Sequence, residues 1–121
     1  YKNFYSVIVI GGTARDFLGE YMAGGLIIVL NLNEKEKIIG ELVGTGMHGG
    51  EIFIRGEIDK STIGKEVKIF KAEKKEDVEK IRFYIQKFSK YFNKNSENIF
   101  AKNFIKLIPT STRPYGKIYV Y

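Results

Sequence analysis

At 121 residues, with 44% hydrophobic and 14% aromatic side chains, the chain has the size and apolar content of one packed domain, which excludes wholesale disorder. It contains no Cys, which excludes disulfides and thiolate metal sites and fits a cytoplasmic location; no apolar run approaches the ~20 residues of a membrane-spanning helix. The net charge of +6 is uneven: residues 1–58 carry 5 Lys/Arg against 7 Asp/Glu, residues 59–121 carry 15 against 7.

Along the chain, SVIVI (6–10) has the length and β-branched content of a strand, and Gly11-Gly12 ends it. A duplication follows. Residues 14–31 (ARDFLGEYMAGGLIIVLN) align without a gap on residues 39–56 (IGELVGTGMHGGEIFIRG), at an offset of 25. Gly44, Met47, Gly49 and Gly50 fall on Gly19, Met22, Gly24 and Gly25. Each copy runs from an apolar pair through a Gly and a turn ending in Gly-Gly to a β-rich run, Leu26–Leu30 in the first and Glu51–Arg55 in the second. The polar NLNEKEK segment (31–37) separates them. Thr62-Ile63-Gly64 opens a degraded third copy that leads into EVKIF (66–70) without a Gly-Gly pair.

Repetition at this period is a mark of stacked structural units. The runs VIVI, IIVL and IFIR begin at Val7, Ile27 and Ile52, so the chain is expected to return to one face once per repeat, strand beside strand. Corners with φ > 0 penalise a Cβ, so Gly19, Gly24, Gly25, Gly44, Gly49 and Gly50 are expected to serve as structural turns.

Past residue 72 the period becomes helical. In KKEDVEKIRFYIQKFSKYF (74–92), Val78, Ile81, Ile85, Phe88 and Phe92 form one apolar stripe. Glu76, Asp77 and Glu79 near its start and Lys87 and Lys90 near its end suit the helix dipole, and Asn93–Asn95 stop it. NIFAKNFIKLIP (98–109) reads as a short extended segment closed by Pro109. The Pro-Tyr-Gly turn of the ending TSTRPYGKIYVY precedes a stretch that reads as a last strand. The organisation expected is repeat coils over 1–72 with a helix and closing tail, 73–121, packed on them as one domain.

No residue stands out as catalytic. Gly44-Thr45-Gly46-Met47-His48-Gly49 spells the dinucleotide pattern, but that pattern works between a strand and a helix, and Glu51–Ile54 is strand-like. His48, the single histidine, has Ala23 as its counterpart in the first copy and no Cys partners, and reads as an exposed corner residue. Arg15, Asp16, Glu20 and Glu41 read as solubilising groups near the corners. The tail's tyrosines (Tyr84, Tyr91, Tyr115, Tyr119, Tyr121) and scattered lysines allow a nucleic-acid-binding module as an alternative, although a solvated helix face accounts for the lysines as well.

The segments ARDFLGEYMAGGLIIVL and VGTGMHGGEIFIRG resemble the glycine-patterned (GXGXG) C-terminal domain of the glutamate synthase large subunit, a domain also found free-standing in archaea. The tail resembles it too: IGKEVKIF, a helix, then an F-x-K-[LIV]-x-P motif filled by Phe104, Lys106 and Pro109. The resemblance implies a mainly β fold, a right-handed parallel β-helix (β-solenoid) with a C-terminal amphipathic α-helix. It implies a non-catalytic scaffold of a glutamate-synthase-like amidotransferase–oxidoreductase complex in nitrogen metabolism, a rigid spacer between catalytic parts. The glutaminase site, the FMN and the iron–sulfur cluster would sit on partner domains or subunits, and no catalytic, cofactor-binding or metal residue carries over to this chain. A β-helix component of another redox complex, resembling the one in formylmethanofuran dehydrogenase, is the nearest alternative. Such domains usually have more coils than are visible here, so self-association or partner docking through the N-terminal face is expected.

Overall fold

A computed structural model of the chain describes residues 6–13, 24–32, 49–58, 60–64, 67–100 and 102–110. In chain order the elements are β1 (Val7–Ile10), β2 (Leu26–Val29), β3 (Glu51–Arg55), a 3-10 turn (Lys60–Thr62), β4 (Val67–Lys71), α1 (Lys75–Phe92), α2 (Ser96–Phe100) and β5 (Phe104–Pro109). The strands make one five-stranded sheet in the order β1-β2-β3-β5-β4.

The three repeat strands are parallel neighbours. Val7 pairs with Leu26 and Leu26 with Glu51, so the sequence offset of 25 between the copies is the register of β2 on β3. The glycines before β2 and β3 sit where the chain enters a rung. Gly25 has φ +87° and Gly50 φ +85°, and the Glu51 amide donates to the Gly25 carbonyl at 3.1 Å. A Cβ on Gly25 would lie 2.6 Å from the Ser6 carbonyl oxygen, so this close approach needs glycine. Of the other expected turn positions, Gly24 would meet nothing within 4 Å if given a Cβ, and Gly19 and Gly44 lie outside the described residues.

The expected right-handed parallel β-helix is not what forms. The described strands lie side by side in a single mixed, open sheet, because β5 occupies the slot beside β3 and runs antiparallel to both β3 and β4. A solenoid needs each coil to enter the next rung in the same direction. The third copy, which lacks the Gly-Gly pair, does not enter the rung next to β3. Its strand β4 keeps the direction of β1–β3, since both β3 and β4 oppose β5, but sits one position further out.

Two apolar layers explain the uniformly hydrophobic strands. β2 is buried along its whole length. Ile27, Val29, Ile52, Ile54 and Leu107 pack on one face, and Leu26, Ile28 and Phe53 pack on the other with Ile81 and Ile85 of α1. Strands buried on both faces lose the polar–apolar alternation. Each wholly buried Leu, Ile or Phe contributes roughly 2 kcal/mol, more than a typical exposed ion pair, so apolar burial outweighs charge in holding the sheet.

The helix starts and stops as its sequence suggests. Asn93 adopts the left-handed conformation (φ 54°, ψ 48°), and its amide and that of Lys94 both reach the Ser89 carbonyl. Its buried row differs from the expected stripe: Asp77, Ile81, Ile85 and Ser89 face inward, while Phe92 is 60% exposed. The segment expected to be extended from residue 98 instead begins as the short helix α2, and only Phe104–Pro109 is strand.

Candidate functional site

Charged side chains on the helix-facing side of the sheet form the most ordered polar structure among the described residues. In β3, alternation sends Ile52 and Ile54 to one layer and Glu51, Phe53 and Arg55 to the other. In β5 it places Lys106 on the same side, directly opposite Phe53. Two turns of α1 lie above. The result is a chain of alternating charges, Lys80–Glu51–Lys106–Asp77. Lys80 Nζ donates to Glu51 Oε1; Lys106 Nζ lies 3.2 Å from Glu51 Oε2 and 2.9 Å from Asp77 Oδ1, and 5.9 Å from the Phe53 ring centre.

Burial pushes the Glu51 carboxyl up, but hydrogen bonds from Lys80 and Lys106 and their positive charges prevail and hold it below its ordinary 4.5. Burial likewise pulls the Lys106 ammonium down, but bonds to Asp77 and Glu51 prevail and hold it above 10.5. Both groups therefore stay charged at neutral pH. A carboxylate pinned between two ammonium groups is a poor general base, so the cluster is suited to bracing α1 against β3 and β5.

A second constellation ties three segment ends together. Arg55, buried at the end of β3, donates from Nε to the Ile99 carbonyl at 2.7 Å, from one terminal nitrogen to Leu30 and Asn31 carbonyls at 3.2 and 3.4 Å, and from the other to the Asn98 carbonyl at 3.1 Å. The planar guanidinium fork gathers carbonyls of α2 and of the exit of β2 onto one side chain. Asn31, at φ 46°, makes that exit turn.

An open cleft of about 410 Å³ lies past the ends of β3 and β4, with Glu57, Lys71, Glu73 and Lys102 on its walls. All four are exposed, and the nearby Gly56 and Ala72 amides are already bonded to the Asn103 and Phe104 carbonyls, so the cleft shows no convergent polar groups.

Arg15, Asp16, Glu20, Glu41, His48, Tyr115, Tyr119 and Tyr121 lie outside the described residues, as does most of the glycine-rich 44–49 segment. Among the described residues, no group of His, Cys, Asp or Glu side chains comes together as a metal site, and no helix is long and apolar enough to cross a membrane. The tail motif is structural: Phe104 is buried on the helix side, Lys106 enters the charged chain and Pro109 ends the strand opposite Val67. Sequence reasoning missed Glu51, Asp77, Lys80 and Arg55. The available signal was two charged residues bracketing the otherwise apolar run of β3, at positions sharing a face with Phe53.

The profile of the GXGXG motif family matches residues 1–113. The chain belongs to this family. It is the family of the C-terminal domain of the glutamate synthase large subunit, and the match takes in both glycine copies and the Phe104–Lys106–Pro109 tail. The uncharacterized protein MJ1350 of Methanocaldococcus jannaschii is 50% identical over 126 residues, an alignment covering 98% of this chain and 48% of that protein. The GXGXG chain thus spans about half the length of this curated relative.

Proposed function

We propose that this GXGXG chain is a scaffold unit of a glutamate-synthase-like assembly in the cytoplasm, holding the glutaminase part and the FMN-binding, iron–sulfur synthase part at a fixed separation so that ammonia passes between them. The observation that carries the reading is the family match over residues 1–113. The character of the described polar groups supports it. Glu51, Lys106, Asp77 and Arg55 are engaged in internal bonds that brace one element against another. The function is geometric, with chemistry supplied by partner chains.

Co-expression with the glutaminase and FMN-dependent synthase polypeptides of such a system tests it. The expected result is a stable complex whose glutamine-dependent glutamate formation falls at least severalfold when this chain is omitted, while each partner's half-reaction persists. No co-purification, or unchanged coupling without the chain, overturns the reading.

A further inference from the structure

On the helix side of the sheet, α1 touches β1 without covering it. Val7 and Val9 point to the helix side and are only half-buried, whereas their register partners Leu26 and Ile28, one strand further in, are 1% and 0% exposed. The flank of α1 over this step is apolar: Tyr84 and Phe88 are half-buried, and Tyr91 and Phe92 are 87% and 60% exposed. Together these residues line an open apolar groove of about 320 Å³. Phe88 and Phe92 lie on the stripe whose spacing predicts burial, yet Phe92, with the Phe88 ring 4.8 Å away, stays 60% exposed.

We propose that this groove docks an amphipathic helix of a partner polypeptide, with carboxylates on its polar face. Helices pack roughly 8–10 Å apart, so a second helix beside this flank of α1 would cover Tyr91, Phe92 and the half-buried Val7 and Val9. The sign of the partner follows from the charge around the groove. Lys87 lines it, Lys90 and Lys94 follow in sequence, and no acidic residue occurs from Ile81 to Ser96. A second copy of the chain would bring two such arrays together. The segments 1–5 and 111–121 carry Lys2, Arg113 and Lys117 and no acidic residue, the same sign again. An acidic helix from elsewhere is the complementary occupant. A nucleic acid is a poorer match because the groove's lining is apolar apart from Lys87 and the tyrosine hydroxyls. The inference goes beyond the scaffold reading and does not depend on the identity of the assembly.

The probes are two fluorescent helical peptides as long as α1, sharing a leucine face and differing in a Glu or a Lys polar face, with binding to the full chain read by anisotropy. The Glu peptide is expected to bind about tenfold more tightly than the Lys peptide. Lys87→Glu should reverse that preference, and Phe92→Glu should abolish binding of the Glu peptide while leaving the melting temperature unchanged. Equal binding of the two peptides, or none, overturns the proposal. So does competition by single-stranded RNA in preference to the Glu peptide, or a concentration-dependent dimer abolished by Phe92→Glu. A fall of several degrees in the melting temperature of Phe92→Glu would show the groove covered by the chain itself, and also overturns it. Peptide binding that persists when no glutamate-synthase-like complex assembles would remove the scaffold reading and leave this one standing.

Discussion

Replacing Gly25 by Ala tests the entry to β2 directly. At φ +87° an L-residue is disfavoured by roughly 1–2 kcal/mol. The new methyl would also stand 2.6 Å from the Ser6 carbonyl oxygen, which is backbone and accepts the Leu26 amide at 2.8 Å. Relief requires β1 to draw away from β2 at that end, weakening a hydrogen bond whose net contribution is about 1 kcal/mol. The two effects add to about 2–3 kcal/mol. At about 4 °C per kcal/mol for a chain of this size, the melting midpoint should fall by about 10 °C. Gly24→Ala is the control, since its Cβ would meet nothing within 4 Å, and its midpoint should move by no more than about 2 °C. Thermal unfolding followed by circular dichroism reads both. If Gly25→Ala melts with the wild type, the close approach of β1 and the glycine requirement derived from it are wrong.

Glu51→Gln should destabilise the chain by about 1–2 kcal/mol at pH 7, by weakening its bonds to both Lys80 and Lys106. Because folding lowers the Glu51 carboxyl below 4.5, its contribution is fully present above that pH and disappears as pH falls through the lowered folded value; denaturant midpoints of wild type and variant should converge as pH is taken below 4.5, and a gap that stays constant refutes the assignment. Lys106 is raised above 10.5, so its contribution is fully present below that pH and disappears as pH rises through the folded value; a wild-type midpoint that holds through strongly alkaline pH contradicts the pairing. Arg55→Leu removes four bonds to carbonyls and should lower stability by about 3 kcal/mol, with amide exchange accelerating first across Ser96–Phe100; uniform acceleration through the sheet would deny the tether. Phe104→Ala should remove about 3–4 kcal/mol by opening a cavity under α1, read as a shift in urea midpoint at constant slope; a loss below about 1 kcal/mol would place that side chain outside the core.

The three repeat strands, their order and their direction were legible in the sequence, because a duplication that conserves spacing makes equivalent residues neighbours, and Leu26 does lie beside Glu51. The helix and its stop were legible for a local reason: periodicity, end charges and an asparagine able to turn left-handed all act within a few residues. Whether the chain would go on winding was not legible. That depended on β5 fitting between β3 and β4, and hydrophobic alternation names the face a strand buries, never the neighbour it pairs with. The helix face rotated for a similar reason. Spacing alone favours Phe92 over Asp77, but the Lys106 ammonium beneath Asp77 holds that carboxylate inward.

Local chemistry and internal repetition thus determined the three repeat strands and the long helix with its stop, and placed the chain among the glycine-patterned domains. Tertiary structure alone decided that the sheet is open and mixed, that Glu51, Asp77, Lys80 and Lys106 form one charged chain, and that an aromatic groove is left beside α1. Those features arise between residues far apart in sequence, and interactions that need a few ångströms of proximity cannot be read from composition or period.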